Sequence, residues 1–204
     1  MTSLHVKDQG VWHEIKGAPA ALPGLGGWAD ITAVTGNPVK HQYKDAAGVD
    51  WVAYEFTASG TITTTAGMVD SLVVGGASGT SNLWGNAGRI TTGTMLIPAG
   101  SNTVSVGTGG TSLAKDWGQG SVLGPYSVPM VTLVAGSLYQ VAGSGYDLTT
   151  RLNGFPSSIT GVSLMYAEVT ATPRANSGSA STAQNTAGTD GVVIVRVPAD
   201  HAKA

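Results

Sequence analysis

Apolar residues in this chain come in short runs with a two-residue beat, interrupted at roughly ten-residue intervals by glycine and small polar residues. The runs fall at 28–35, 38–43, 51–57, 60–65, 68–74, 89–97, 103–106, 131–135, 138–141, 162–169 and 192–197, and are rich in Val, Thr, Ile and Tyr. Branched and aromatic side chains fit a pleated, half-buried surface, so these runs predict strands. No stretch carries the 3.6-residue period of an amphipathic helix. Many short strands separated by turn signals predict an all-β sandwich or barrel rather than βαβ units. The expected architecture is a glycine-rich, jelly-roll-like β-sandwich.

The first sixteen residues stand apart. Two β-type runs flank Asp8-Gln9-Gly10, which predicts a hairpin arm with Val6, Val11, Trp12 and Ile15 as its apolar residues. A lone two-stranded hairpin is at best marginally stable in water, so this arm needs a surface to dock on. Residues 17–27 have the Pro/Gly punctuation of an extended linker, and 17–50 reads as linker plus transition strands. The main body is expected over 51–197, with 198–204 as a tail. Within it, 173–188 is almost wholly small and polar and predicts a long surface loop.

Composition narrows the chemistry. There are 30 glycines in 204 residues but no run longer than two, and the strict three-residue repeat of collagen is missing. The glycines read as turns and bulges between strands. Charged residues are only 11% of the chain and the net charge is −2, which leaves no basic stripe to neutralise phosphates and speaks against nucleic acid as a partner. Cysteine is absent, removing disulfides, thiol nucleophiles and cysteine-rich metal sites together. The N-terminus lacks the basic and apolar regions of a signal peptide, and no apolar run approaches a membrane span. Synthesis in a cytoplasm and no membrane insertion are therefore expected.

Motifs for catalysis are weak. The glycine clusters at 75–79 and 107–110 lack the Gly-Lys-Ser/Thr ending of a phosphate-binding loop, and serines near glycine lack the spacing of a nucleophile elbow. His5 and His13 flank the arm's turn and read as surface histidines; no metal or cofactor is expected. Glycoside hydrolysis needs two carboxyl groups at a set separation. Glu55, Asp70, Asp116, Asp147, Glu168 and Asp190 are instead scattered singly, with Asp190 read as part of an Asp-Gly turn. Loop aromatics carry the better binding signal. Trp84 with Asn86, Trp117 with Asp116, and Tyr146 with Asp147 each join a flat apolar face to hydrogen-bonding groups, a pairing suited to sugars. Capping of the core ends, or packing against a neighbouring subunit, by the same rings is the competing reading.

A family resemblance adds to this. Tyr54-Glu55-Phe56-Thr57, Ser59-Gly60-Thr61-Ile62, the apolar run 69–74 into Gly75-Gly76, Ile97-Pro98-Ala99-Gly100-Ser101, the run 104–110, and Gly188-Thr189-Asp190-Gly191 leading into 192–197 together resemble the glycine-rich domain of bacteriophage tail-fibre and minor tail proteins. Residues 6–15, beginning Val6-Lys7-Asp8-Gln9-Gly10-Val11-Trp12, resemble a segment common near the termini of phage tail proteins. The resemblance implies a non-enzymatic structural protein of the virion, assembled in the host cytoplasm, with other virion proteins and a homotrimer or other symmetric homo-oligomer as partners. It also implies a role in host attachment through surface glycans. A capsid decoration protein is the alternative, and a glycan depolymerase the third reading. Some adhesins of this kind pack long glycine tracts as a polyglycine lattice. The tract at 75–82 is short and interrupted, which predicts that no such lattice forms here. No heptad pattern marks a fibre shaft, which favours a small accessory virion protein.

Overall fold

The computed structural model describes residues 27–80, 85–111, 117–128 and 154–204, and the backbone of two strands near the N-terminus, β1 (Leu4–Asp8) and β2 (Val11–Ile15). Those two strands form the expected antiparallel hairpin, with Asp8 opposite Val11 and Leu4 opposite Ile15. The chain is all-β, as its periodicity predicts. The body comprises β3 (Ile31–Val34), β4 (Val39–Lys44), β5 (Asp50–Phe56), β6 (Gly60–Thr64), β7 (Gly67–Val74), β8 (Ile90–Ile97), β9 (Gly100–Ser105), β10 (Ser121–Leu123) and β11 (Tyr126–Val128). It continues through β12 (Phe155–Ser157), β13 (Leu164–Tyr166), β14 (Val169–Thr170), β15 (Ala180–Ser181) and β16 (Val192–Pro198). A 3-10 turn at Ala199–His201 is the only helical element among the described residues. The expected strands at 131–135 and 138–141 lie outside them.

Two five-stranded antiparallel sheets face each other, one in the order β11-β10-β9-β6-β3 and the other β4-β5-β16-β7-β8. Ile31, Ile62, Val104 and Leu123 of the first meet Tyr54, Phe56, Val69, Val73, Val193 and Val195 of the second, and this contiguous cluster is the core. The second sheet is buried on its outer face too. There Ala53, Leu72, Val192 and Ile194 pack under Ile159 and Tyr166, carried by the β12–β13 hairpin and its loop. Burial on both sides explains why β16 reads as an unbroken apolar run rather than an alternating one.

The body begins earlier than the expected boundary at residue 51. β3 and β4 are integral to the two sheets, one in each, so the main domain takes in most of 28–50. The expected tail at 198–204 is likewise part of the fold. Ala202 bridges Ile31, the Lys203 amide donates to the Ile31 carbonyl at 2.8 Å, and the Tyr54 hydroxyl donates to the Ala204 carbonyl at 3.1 Å. This segment closes the seam between β3 and β4. At the opposite seam the Tyr126 hydroxyl donates to the Leu96 carbonyl at 2.6 Å, tying β11 to β8.

The β4–β5 turn lies at the end of the sandwich where β7 begins and β16 finishes. It is held by Asp45, whose Oδ1 accepts from the Ala47 and Val49 amides at 2.9 Å and whose Oδ2 accepts from the Trp51 indole at 2.8 Å. The indole bond, then the backbone bonds, hold this carboxyl below its ordinary value. A carboxyl depressed in the folded state contributes stability above its unfolded pKa, about 3.9, and loses that contribution as pH falls through the folded value. Asp45→Asn should therefore flatten the loss of stability between about pH 5 and pH 2. Denaturant melts across that range check it; an unchanged slope would refute the assignment.

Candidate functional site

At its other end the sandwich continues into a second, side-chain-poor structure. β7 runs on as 75–80, β9 as 107–111, and 85–89, 117–120 and 186–191 lead into β8, β10 and β16. With 178–182 they form a bundle in which 75–80 is central and every residue from Ser71 to Thr80 is buried. The central segment donates in three directions in turn. Gly75 and Ser78 donate to the Arg89 and Asn86 carbonyls, Gly76 to Gln119, and Ala77 and Thr80 to Thr189 and Thr186, at 2.8 to 2.9 Å. The outer segments are joined as well: Gly85 and Gly88 donate to Ser181 and Gly178, Gly178 to Asp190, Gly188 and Gly191 to Gly110 and Gly107, and Gln119 to Thr108. A repeat of three residues, with every bond made to a neighbouring segment and none within the segment, is the pattern of packed polyglycine helices.

This overturns the expectation that the glycines serve only as turns and that no lattice forms. A Cβ on Gly76 would overlap the Thr108 carbonyl oxygen; on Gly88, that of Gly75; on Gly118, that of Gly76; on Gly188, that of Ala77. The segments pack so closely that backbone lies against backbone. Serine and threonine extend the network where a backbone partner is missing. Ser121 Oγ accepts from the Gly107 amide at 2.9 Å and donates to the Val74 carbonyl at 2.7 Å, and Thr80 Oγ1 accepts from the Thr186 amide at 2.8 Å. Asp190, expected as turn chemistry, accepts the Gly109 amide at 2.7 Å and so clasps two segments. The surface loop expected at 173–188 is also corrected, because Ser177 to Ser181 are buried in the bundle. Small residues there fill an interior rather than face water. One sequence signal could have found the lattice: Gly76/Gly79, Gly85/Gly88, Gly107/Gly110 and Gly188/Gly191 are each three apart.

The lattice gives the molecule a tip. Segments 75–80 and 85–89 run in opposite directions, and Thr80 is bonded to Thr186 while Gly85 is bonded to Ser181. The turn from 183 to 185 therefore shares an end with Thr80 and Gly85. Contacts of Gly76 and Gly79 with Thr108 and Thr111 show that 107–111 runs alongside 75–80, so Thr111 and Trp117 reach the same end. Ala183, Gln184, Asn185 and Thr111 are exposed there, with Asn86 and Trp117 half-buried, and none of these carries a charge.

Of the expected site residues, Asn86 and Trp117 thus stand on different segments of this tip. Trp84, Asp116, Tyr146 and Asp147 lie outside the described residues. In the arm, the register places Lys7 opposite Trp12, Val6 opposite His13 and His5 opposite Glu14, so the two histidines belong to different cross-strand pairs. Three of the described acids are separately engaged: Glu55 with His41 at 2.8 Å, Asp70 with Arg196 at 2.6 Å, and Asp190 with the lattice.

A groove of about 390 Å³ at the opposite end, between β4 and the C-terminal segment, was not signalled by the sequence. Lys40, Lys44, Asp50 and Trp51 line it, but Lys44 is paired with Asp50 at 2.8 Å and Lys40 donates to the Ala204 carbonyl. Among the described residues no helix is long and apolar enough to cross a membrane. Comparison of the chain with protein-family models, curated proteins and solved structures finds no match.

Proposed function

We propose that the chain is a structural protein of a tailed-bacteriophage virion, of the minor tail or tail-fibre type, anchored by its N-terminal arm and touching the host surface, through glycans, with its lattice tip. One observation carries this reading beyond the sequence resemblance. The chain joins the body at Trp28, beside Met68 at the start of β7, whereas the tip lies past the far end of β7, so the point where the chain enters the body and the tip are at opposite ends. The tip's amides, hydroxyls and tryptophan are groups that meet sugar hydroxyls and C–H faces. Mass spectrometry of purified virions tests the reading, and recovery only from unassembled lysate protein would reject it. Capsid decoration is the second reading, resting on the same anchor-and-display geometry. Copy number separates the two, since hundreds per virion fit the head and a number set by threefold or sixfold symmetry fits the tail.

The adhesive part has its own test. An anchoring aromatic typically costs about 2 kcal/mol or more when truncated, so Trp84→Ala with Trp117→Ala should lower host adsorption on the order of tenfold or more. Undiminished adsorption by virions with normal incorporation would place the adhesive surface elsewhere.

A further inference from the structure

We infer that the body is a strut built to resist tension between the N-terminal arm and the lattice tip. It rests on the proposed anchoring of the arm and on the chain geometry of the body, and holds whichever surface the tip meets. Two chain segments lie along the line from tip to base. One is 186–198, which leaves the tip through the lattice and becomes β16 without a break. β16 is bonded on both sides, to β5 from Val193↔Phe56 to Pro198↔Trp51 and to β7 from Val192↔Val74 to Arg196↔Asp70. Ladder bonds lie perpendicular to their strands, so tension along β16 loads them together in shear rather than one at a time.

The second segment is 27–34, where force from the arm enters. It too is held from several sides. The Met68 amide donates to the Gly27 carbonyl and the Ala29 amide to the Met68 carbonyl, both at 2.9 Å, fixing the segment to the second sheet. β3 pairs with β6 in the first sheet, while the Lys203 amide donates to the Ile31 carbonyl from the other side. Asp30 adds side-chain and backbone bonds: its Oδ1 meets His201 Nδ1 at 2.8 Å, its amide donates to Thr65 Oγ1 at 2.8 Å, and its carbonyl accepts from the Thr65 amide at 3.0 Å. The C-terminal segment is thereby a clasp on the strand that takes the load.

Across the sheet the geometry is the opposite. Val39 on β4 and Leu96 on β8 are exposed positions on the two edge strands of the five-stranded sheet, and pulling them apart opens the ladders bond by bond. The chain has no cysteine, so single attachment points are simple to introduce. Single-molecule pulling on the full chain should give a several-fold higher rupture force between an N-terminal handle and Gln184→Cys than between Val39→Cys and Leu96→Cys. His201→Ala, which removes only the Asp30 bond to the clasp, should lower the axial force and leave the cross-sheet force unchanged, while deleting 199–204, which also removes the Lys40 and Tyr54 bonds to Ala204, should lower the axial force proportionally more than the cross-sheet force. Equal forces in the two directions, or proportionally equal losses in both after either change, would overturn the inference.

Discussion

Gly76→Ala should cost about 3 kcal/mol or more, a loss expected from overpacking that cannot relax. The added methyl meets the Thr108 carbonyl and the Gly109 amide, which are backbone atoms of a segment itself fixed by Gly110 to Ala77 and by Gly107 to Gly191. No side chain can turn aside to make room. In a chain of this length each kcal/mol shifts the melting temperature by about 2–4 °C, so the drop should be near 6–12 °C or more. Gly48→Ala is the control. Its φ of +85° makes alanine strained, but nothing lies within 4 Å of the added carbon, so the cost should be about 1 kcal/mol. Thermal melts of the two variants decide the matter. Similar small losses would mean that the lattice is loosely packed and that glycine there is a matter of composition only.

The same residue shows where sequence reasoning stops. β16 was legible because an apolar run closed by charged and turn residues has few other uses, and burial on both faces of its sheet keeps the run unbroken. The strands 50–56 and 67–74 were legible for the same reason. The lattice was not, because its code is written in residues that also make turns. Gly, Ser and Thr around 75–80 say that side chains are small, and both a surface turn and a buried backbone contact ask for that. What separates the two is the partner segment, which lies far along the chain: Gly76 needs Thr108 and Gln119, and Ala77 needs Thr189. Ser177 to Ser181 misled in the same way, since polar residues usually face water and these are enclosed by backbone that satisfies them. β10 and β11, three residues each, are too short to show a period at all. For the tip, the loop aromatics were visible as chemistry, but only the lattice register brings Asn86 and Trp117 to one end.

Arg196→Met should be strongly destabilising although it lies outside the lattice. The guanidinium donates from Nε and Nη2 to Asp70 Oδ2 at 2.8 and 2.6 Å and from Nη1 to the Tyr43 hydroxyl at 2.6 Å, and it lies 4.3 Å from the centre of the Trp51 ring. Burial works against its charge, but the Asp70 carboxylate and Tyr43 outweigh that, and its pKa is raised. Methionine would fill much of the space yet leave Asp70, only 18% exposed, without its cation. Breaking a buried pair from one side costs about 3–5 kcal/mol, and the residual exposure here places the expectation at the low end, about 3 kcal/mol. Asp70→Leu should cost less, because Arg196 keeps the Tyr43 hydroxyl and the Trp51 face. The double variant should cost less than the two single losses combined, by about 1–3 kcal/mol, since no orphaned carboxylate remains. Denaturant unfolding of the four proteins measures the coupling, and strict additivity would show that the pair is solvated and contributes little. Tyr43 supplies an independent readout. Burial raises its pKa and Arg196 opposes that rise, so Arg196→Met should move its phenolate titration further up. A phenol raised in the folded state contributes stability that is complete below about pH 10 and is lost as pH climbs through the folded value. The variant's relative deficit should therefore be steady near neutrality and grow as pH climbs past the folded value of Tyr43 in the unaltered protein, because its alkaline limb extends further upward.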